Sequence, residues 1–373
     1  MSLDVAEFEA FHHAIHGSPP FAWQSRLLRQ VVEERRWPRV LDLPTGAGKT
    51  TCIDIALFAL ALDADQLDRW CPRRIAMVVD RRIVVDQVAE RGRKLLGKLL
   101  AADTGTVVGR VAQQLRRLMK DDSQRDPLAV FTLRGGMPKD DTWARTPDQP
   151  LILASTVDQL GSRLLIQGYG VSRGMKPVHA GLVGNDLLLL LDEVHLSKPF
   201  ADTLNALCQL RGRFAKTLPT RFHHALLSAT PDKSDEPFRL LEEEKSKESV
   251  LGKRLHAHKP ARLVDVADRR ALEQTCIDEA LALTKKHDVV AVVVNRVETA
   301  SVVTRQLREM LGETIDVALL TGRMRPLDRD DLLHELRPRI MTGRDRASVP
   351  RQLIVVGTQC IEAGADFDFD AVV

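Results

Sequence analysis

Residues 41–50 read Leu41-Asp42-Leu43-Pro44-Thr45-Gly46-Ala47-Gly48-Lys49-Thr50. The apolar residues Val40–Leu43 predict a strand, and the pattern over Thr51–Leu62 predicts a helix directly behind the turn. Glycine lets the backbone curl so that several N–H groups face one anion, and the helix start adds partial positive charge. Pro44, Thr45, Gly46, Ala47 and Gly48 would therefore wrap a triphosphate. Lys49 would reach its β- and γ-phosphates, and the Thr50 hydroxyl would hold Mg²⁺. A glycine-rich strand–helix turn without a ligand is the plain alternative. The Lys-Thr pair after Gly48 speaks against it.

Working outward, apolar runs alternate with amphipathic stretches. Strands are expected at Ile75–Val79, Ala129–Leu133, Leu151–Ala154, Leu187–Leu191 and Ala225–Ser228, and helices at Val84–Leu100 and Thr203–Leu218. Buried strands joined by helices imply an α/β fold with a parallel sheet covered on both faces. A polar stretch from Pro231 to about Pro260 contains LEEEKSKES and reads as a solvated helix or linker. A second alternating set follows. It comprises strands Arg262–Val266, Val289–Val294, Asp316–Leu320 and Gln352–Val356, with helices Ala271–Lys286, Thr299–Met310 and Leu327–Leu336. The expected organisation is an N-terminal segment 1–38, a first lobe 39–255 and a second lobe 256–373, parting near residue 260.

The run Leu187–Leu191 is five leucines, followed at once by Asp192-Glu193-Val194-His195. Ionised carboxylates beside so apolar a strand are costly unless they serve something. Ligands bind outside the carboxyl ends of parallel strands. Asp192 would hold Mg²⁺, and Glu193 would orient the water that attacks the γ-phosphate. His195 would either couple to the second lobe or simply pack. Ser228-Ala229-Thr230 follows another apolar strand; alone it is a common turn or helix cap, but its order after the other two motifs assigns Ser228 and Thr230 a coupling role. Upstream, Gln24 in Phe21-Ala22-Trp23-Gln24 can pair with an adenine edge while Phe21 or Trp23 stacks on the ring. The competing reading is an aromatic core anchor with a surface glutamine.

The 373 residues suffice for two ordinary domains, and 44% are hydrophobic without any run long enough to span a bilayer. Five cysteines lie scattered with no C-x-x-C pair, which argues against a disulfide framework or zinc site. The start lacks a secretory pattern, so a cytoplasmic protein is expected. A net charge of +3 neither demands nor excludes nucleic acid.

Gln24, PTGAGKT (44–50), DEVH (192–195), SAT (228–230) and GTQCIEAGAD (357–366) stand in the order found in superfamily 2 helicases. The strict phosphate-loop pattern wants glycine where this chain has Leu43, and PTGxGKT is the superfamily's own variant. Within the superfamily the chain resembles the helicase–nuclease of type I CRISPR interference. The likeness rests on Ala14-Ile15-His16-Gly17, Pro20–Gln24, Thr156-Val157-Asp158-Gln159, DEVH, and Thr358-Gln359 with Ile361-Glu362. The opening segment, with no nuclease before the motor, is similar to the type I-G branch. The resemblance implies two RecA-like lobes with ATP between them, Mg²⁺, single-stranded DNA crossing the top, and recruitment by an RNA-guided surveillance complex. Gly364 and Asp366 would then join the nucleotide site. Nucleic-acid contacts would come from Arg81, Arg82, Arg134, Gly135, Gly136, Thr156, Gln159, Asn295, Arg296, Thr321, Arg323 and Thr358. Each arginine taken singly is more often a solvated surface residue; the expectation attaches to the set.

A motor of this kind also needs a late Q-R-x-G-R motif, whose arginines are worth ~10³–10⁵ in rate. None follows the motif at 357–366. The chain therefore reads as a form with an incomplete second lobe, without a nuclease, and slow or silent in turnover. Gln209-Leu210-Arg211-Gly212-Arg213 lies too early and reads as a helix-to-turn segment; His287-Asp288 sits at the mouth of a strand without further metal ligands. His12, His13 and His16 read as surface or packing residues. Two other readings stand beside the first: a different superfamily 2 DNA or RNA helicase or restriction-type translocase, and a nucleotide-gated binding module without turnover.

Overall fold

The computed structural model describes residues 3–120, 125–136, 140–214, 221–228, 236–346, 351–361 and 367–373. The chain divides into two compact units, residues 1–258 and 259–373.

In the first unit, helices α1 (Phe8–His16) and α2 (Ala22–Glu34) precede strand β1 (Val40–Asp42). Then come α3 (Cys52–Asp63), β2 (Arg74–Val79), α4 (Arg82–Ala101), α5 (Val107–Arg116), β3 (Ala129–Leu133) and β4 (Leu151–Thr156). Next are α6 (Val157–Leu164), α7 (Lys176–Gly184), β5 (Leu187–Asp192), α8 (Lys198–Phe214) and β6 (Phe222–Ser228). The unit closes with β7 (Phe238–Arg239) and two short helices, α9 (Glu242–Lys245) and α10 (Val250–Leu255). The seven strands form one sheet in the order β3-β4-β2-β5-β6-β1-β7, with every pairing parallel.

Both faces of this sheet are covered, which is why Ile75–Val79, Leu151–Ala154 and Leu187–Leu191 are apolar at every position rather than at alternate ones. One face carries Ala76, Val78, Leu151, Leu153, Leu187, Leu189 and Leu191. It packs against Leu160 of α6, Val183 of α7, and Phe200 and Leu204 of α8. On the other face α4 comes so close that a side chain at Gly92 would meet Val130 Cγ1 at 2.9 Å and Ile152 Cγ2 at 3.4 Å. The five leucines of β5 are each at most 1% exposed, a transfer free energy on the order of 10 kcal/mol.

The second unit holds α11 (Arg269–Thr284), β8 (Val289–Val293), α12 (Val297–Leu311), β9 (Asp316–Leu320), α13 (Pro326–Ile340), β10 (Leu353–Gly357) and β11 (Ala371–Val372). Its sheet is again parallel, in the order β11-β8-β10-β9. Val290, Val292, Ile354 and Val356 pack on Ile277 and Ala280 of α11 and on Ala300, Val303 and Leu307 of α12.

Two expectations are corrected. Arg262–Val266 is not a strand: it joins neither sheet, and Leu263 is 91% exposed. Its apolar residues Leu263, Val264 and Val266 suit a strand, but β-structure needs a sheet edge to pair with as well as suitable residues. Conversely, the polar stretch before it is more than a linker. Phe238–Arg239 extends the sheet beside β1, and buried Glu244 receives Arg26 of α2 through Nε (3.0 Å) and Nη2 (2.8 Å). Gln209–Arg213 lies wholly within α8, where Arg211 anchors to the Gly184 carbonyl at 2.6 Å.

Candidate nucleotide site and nucleic-acid edge

β1 delivers the chain into the loop 43–48. Leu43 N–H donates to the Ser228 carbonyl (3.0 Å), so the end of β6 supports the base of the loop. Gly46 and Gly48 hold φ of 81° and 78°, the left-handed region where a Cβ is penalised. These two turns swing the backbone over before Lys49–Thr51 begins the helical path into α3.

The loop is clasped from α2. Trp23 is fully buried and its indole N–H donates to the Ala47 carbonyl at 3.1 Å. Gln24 is also buried; its amide donates to the Gly48 carbonyl (3.3 Å) and its oxygen accepts the Phe21 N–H (2.8 Å). A Cβ at Gly48 would lie 3.1 Å from Gln24 Nε2 and 3.4 Å from Phe21 Cε2. Of the two aromatics offered for stacking, Trp23 is thus a brace inside the fold. Phe21 stays half-buried beside Gly48, with the Arg254 guanidinium 5.4 Å from its ring centroid.

The acidic pair meets the loop. Lys49 Nζ lies 3.6 Å from Asp192 Oδ1 and 3.4 Å from Glu193 Oε1. Lys49 and Asp192 are only 8% and 7% exposed. Burial pushes the Asp192 carboxyl up, Lys49 draws it back, and Glu193 raises it again, leaving it above its ordinary value. Glu193 has φ 50° and ψ 52°, rare for a residue with a side chain and costing about 1–2 kcal/mol. Its N–H donates to Asp192 Oδ1 at 2.9 Å, and His195 Nδ1 lies 3.4 Å from its Oε2. Two carboxylates face one ammonium, a surplus of negative charge that a divalent cation would cancel. The donors present therefore fit a magnesium–triphosphate.

Parallel order sorts the other candidates. The carboxyl ends of β5, β6 and β1, which are adjacent in the sheet, bring Asp192–His195, Ser228 and residues 44–50 to one side. The carboxyl ends of β3, β4 and β2, also adjacent, lead into Arg134–Gly136, Thr156–Gln159, and Arg81 with Arg82. The members differ in exposure. Arg82 and Gly136 are exposed, whereas Arg134 is buried with Nε 2.6 Å from Asp86 Oδ1. Thr156 is buried, and Gln159 Oε1 accepts from Arg163 at 2.8 Å. In the second unit Asn295 and Arg296 follow β8, Thr321 and Arg323 follow β9, and Thr358 follows β10, all at one end of that sheet. Asn295, Arg296 and Arg323 are exposed; Thr321 and Thr358 are buried. Gln359 Nε2 donates to Asn295 Oδ1 at 3.3 Å. Thr230, Gly364 and Asp366 lie outside the described residues. Among the described residues, no cluster of three or more His, Cys, Asp or Glu could hold a metal, and no helix is long and apolar enough to cross a membrane.

Sequence reasoning missed Asp54 and Arg91 behind the loop, and read His16 as a surface or packing residue. His16 and Arg91, both half-buried, close on fully buried Asp54, and a carboxylate on the first turn of an otherwise apolar stretch of α3 was the available signal.

Residues 18–199 match the family described as type III restriction enzyme, res subunit. Residues 286–373 match the family described as CRISPR-associated nuclease/helicase Cas3, C-terminal. Comparison with curated protein sequences finds no match. Among solved structures, T. fusca Cas3 is 16% identical with a TM-score of 0.60, covering 97% of this chain and 43% of that one. The DEAD-box helicase Mss116 bound to ssRNA and UDP-BeF is 13% identical at TM-score 0.56, covering 100% and 69%. The DUF1998 helicase MrfA bound to DNA and AMPPNP is 14% identical at TM-score 0.53, covering 98% and 46%. The chain thus spans less than half the length of the Cas3 structure. At such identities the likeness is one of fold, and it defines an α/β protein built from RecA-like lobes. The two family matches narrow this and support a superfamily 2 helicase of the Cas3 and type III restriction kind.

Proposed function

We propose that this chain is the ATP-driven motor of a type I CRISPR interference helicase, moving on single-stranded DNA opened by an RNA-guided surveillance complex. One observation carries the motor reading: Lys49 sits 3.6 and 3.4 Å from the two carboxylates at the end of β5. The match of residues 286–373 to the Cas3 C-terminal family favours the CRISPR assignment.

The residues divide the chemistry as follows. Backbone N–H groups of 46–50 and the Lys49 ammonium hold the β- and γ-phosphates. Thr50 and Asp192 would hold Mg²⁺, which supplies charge neutralisation on the phosphoryl oxygens. Glu193 orients a water and accepts its proton, and His195 steadies the Glu193 carboxylate. Phe21 and Gln24 border the place an adenine would take beyond Gly48. Exposed Arg82, Arg296 and Arg323 contact DNA phosphates without reading sequence.

Phosphate release by the 373-residue chain, measured with single-stranded DNA, RNA or neither, tests this reading. The expected result for residues 1–373 is slow turnover that single-stranded DNA raises, lost in Lys49→Ala and lowered further in Glu193→Gln with nucleotide binding retained; full, rapid turnover would overturn the expectation of a slow motor. Equal stimulation by RNA would overturn the DNA assignment. The match of residues 18–199 to the restriction-enzyme family favours a second reading, a translocase on duplex DNA. Stimulation by duplex in preference to single strands would select it.

A further inference from the structure

We propose that Arg91 is a positioning residue for the phosphate loop: held by Asp54 and His16, its guanidinium fixes the Thr51 hydroxyl and with it the turn carrying Lys49 and Thr50.

Three helices contribute. Asp54 stands on the first turn of α3, completely buried, in a helix otherwise apolar until Asp63. His16, the last residue of α1, places Nε2 2.7 Å from Asp54 Oδ1. Arg91 of α4 donates to Asp54 Oδ2 through Nε at 2.7 Å and reaches it again through Nη2 at 2.6 Å. The same Nη2 lies 3.0 Å from Thr51 Oγ1. It also stands 3.2 Å from His16 Nε2. The short contact to a carboxylate puts the imidazole proton on Nε2, so this last approach is proximity rather than a second hydrogen bond.

The cluster balances. One carboxylate meets one guanidinium, and the His16 imidazole reaches the same carboxylate. The His12 ring lies tilted beside His16 with centroids 4.6 Å apart, and burial lowers its basicity. Burial pushes the Asp54 carboxyl up, but Arg91 and His16 more than offset it and hold it below its ordinary value. Cys52 feels both this cluster and Asp192: burial raises its thiol, and Asp192 and Asp54 raise it further.

A cluster placed here to add stability would be a poor choice. Buried ion pairs are often matched or bettered by apolar residues of the same volume. What the charged version adds is directional: a fork of donors on Arg91 that sets one hydroxyl. That hydroxyl belongs to the residue after Thr50 and two after Lys49, on a segment whose Thr51 N–H already closes onto the Gly48 carbonyl at 3.1 Å. Fixing Thr51 from behind fixes the loop in the shape that faces the phosphates, so less ordering is left for binding to bring about. The proposal also absorbs the N-terminal segment, since His16 contributes without touching a ligand.

The inference rests on the nucleotide reading of residues 44–50, and calorimetric titration of the 373-residue chain with Mg-ATP separates the two. Thr51→Val and Arg91→Gln are expected to weaken ATP binding about fivefold to twentyfold. Thr51→Ser, which keeps the oxygen, stays within about twofold of wild type, and Arg91→Lys lies between. Melting curves run alongside show Thr51→Val folded at the titration temperature, so its loss of affinity is not a loss of fold. Should Arg91→Gln fail to fold, Thr51→Val decides. Wild-type affinity in Thr51→Val, with binding lost in Lys49→Ala, would overturn the positioning role and leave the nucleotide site standing. Wild-type affinity in Lys49→Ala would remove both.

Discussion

Replacing Gly48 by alanine, with Gly46→Ala as its partner, tests how the loop is built. Both glycines have φ near +80°, so an added Cβ costs about 1–2 kcal/mol in backbone conformation at either position. Their surroundings differ. At Gly46 the new Cβ meets nothing within 4 Å, whereas at Gly48 it meets Gln24 Nε2 at 3.1 Å and Phe21 Cε2 at 3.4 Å. The amide is the end of a flexible side chain and can give way, but in moving it loses its bond to the Gly48 carbonyl. A hydrogen bond of this kind is worth about 0.5–1.5 kcal/mol, and a buried amide left short of a partner costs at the upper end. Gly48→Ala should therefore exceed Gly46→Ala by about 1 kcal/mol, or roughly 2–4 °C in melting temperature for a unit of this size. Paired thermal and urea unfolding, read by circular dichroism on both variants, measures the difference. Equal destabilisation would show that Gln24 and Phe21 do not press on the loop, and the clasp from α2 would be refuted.

Asp54→Asn should destabilise the first unit on the order of 3 kcal/mol at neutral pH, because Arg91 is left facing an uncharged group. The folded carboxyl lies below 3.8, so its stabilisation is present above that pH and disappears as pH falls through the folded value. Wild type and variant should hence converge in melting temperature toward acid; a gap unchanged between pH 7 and pH 3 would contradict the ion pair. His16, His12 and Arg91 face the same carboxylate, so Arg91→Gln should flatten the acid limb as well. Arg82→Ala and Arg323→Ala should each lower the slope of log affinity for single-stranded DNA against log salt by about 0.7. Unchanged slopes in filter binding from 50 to 200 mM salt would exclude those side chains from phosphate contact.

Much of the fold was legible because its signals are local. A fully apolar run such as 187–191 can only be a doubly covered strand here, and glycines before Lys-Thr compel a tight turn into a helix. β3 and β9 have the limits expected of them, Ala129–Leu133 and Asp316–Leu320. The strand expected at Arg262–Val266 failed for the converse reason, that a short apolar stretch says nothing about whether a free edge exists to receive it.

By itself the sequence determined the class of fold, the strands that could build it, and the residue types able to manage a triphosphate. Strand order was decided only in three dimensions. It carries Lys49 to within 3.4 Å of Glu193 across 144 residues of chain, and gathers the loops after β3, β4 and β2 apart from those after β5, β6 and β1. Tertiary structure also decided which polar side chains face inward, so that Arg134 turns to Asp86 and His16 to Asp54. Chemistry along a chain is set by neighbours in sequence, but the burial and pairing of a charge depend on elements brought together by packing, and no local pattern encodes them.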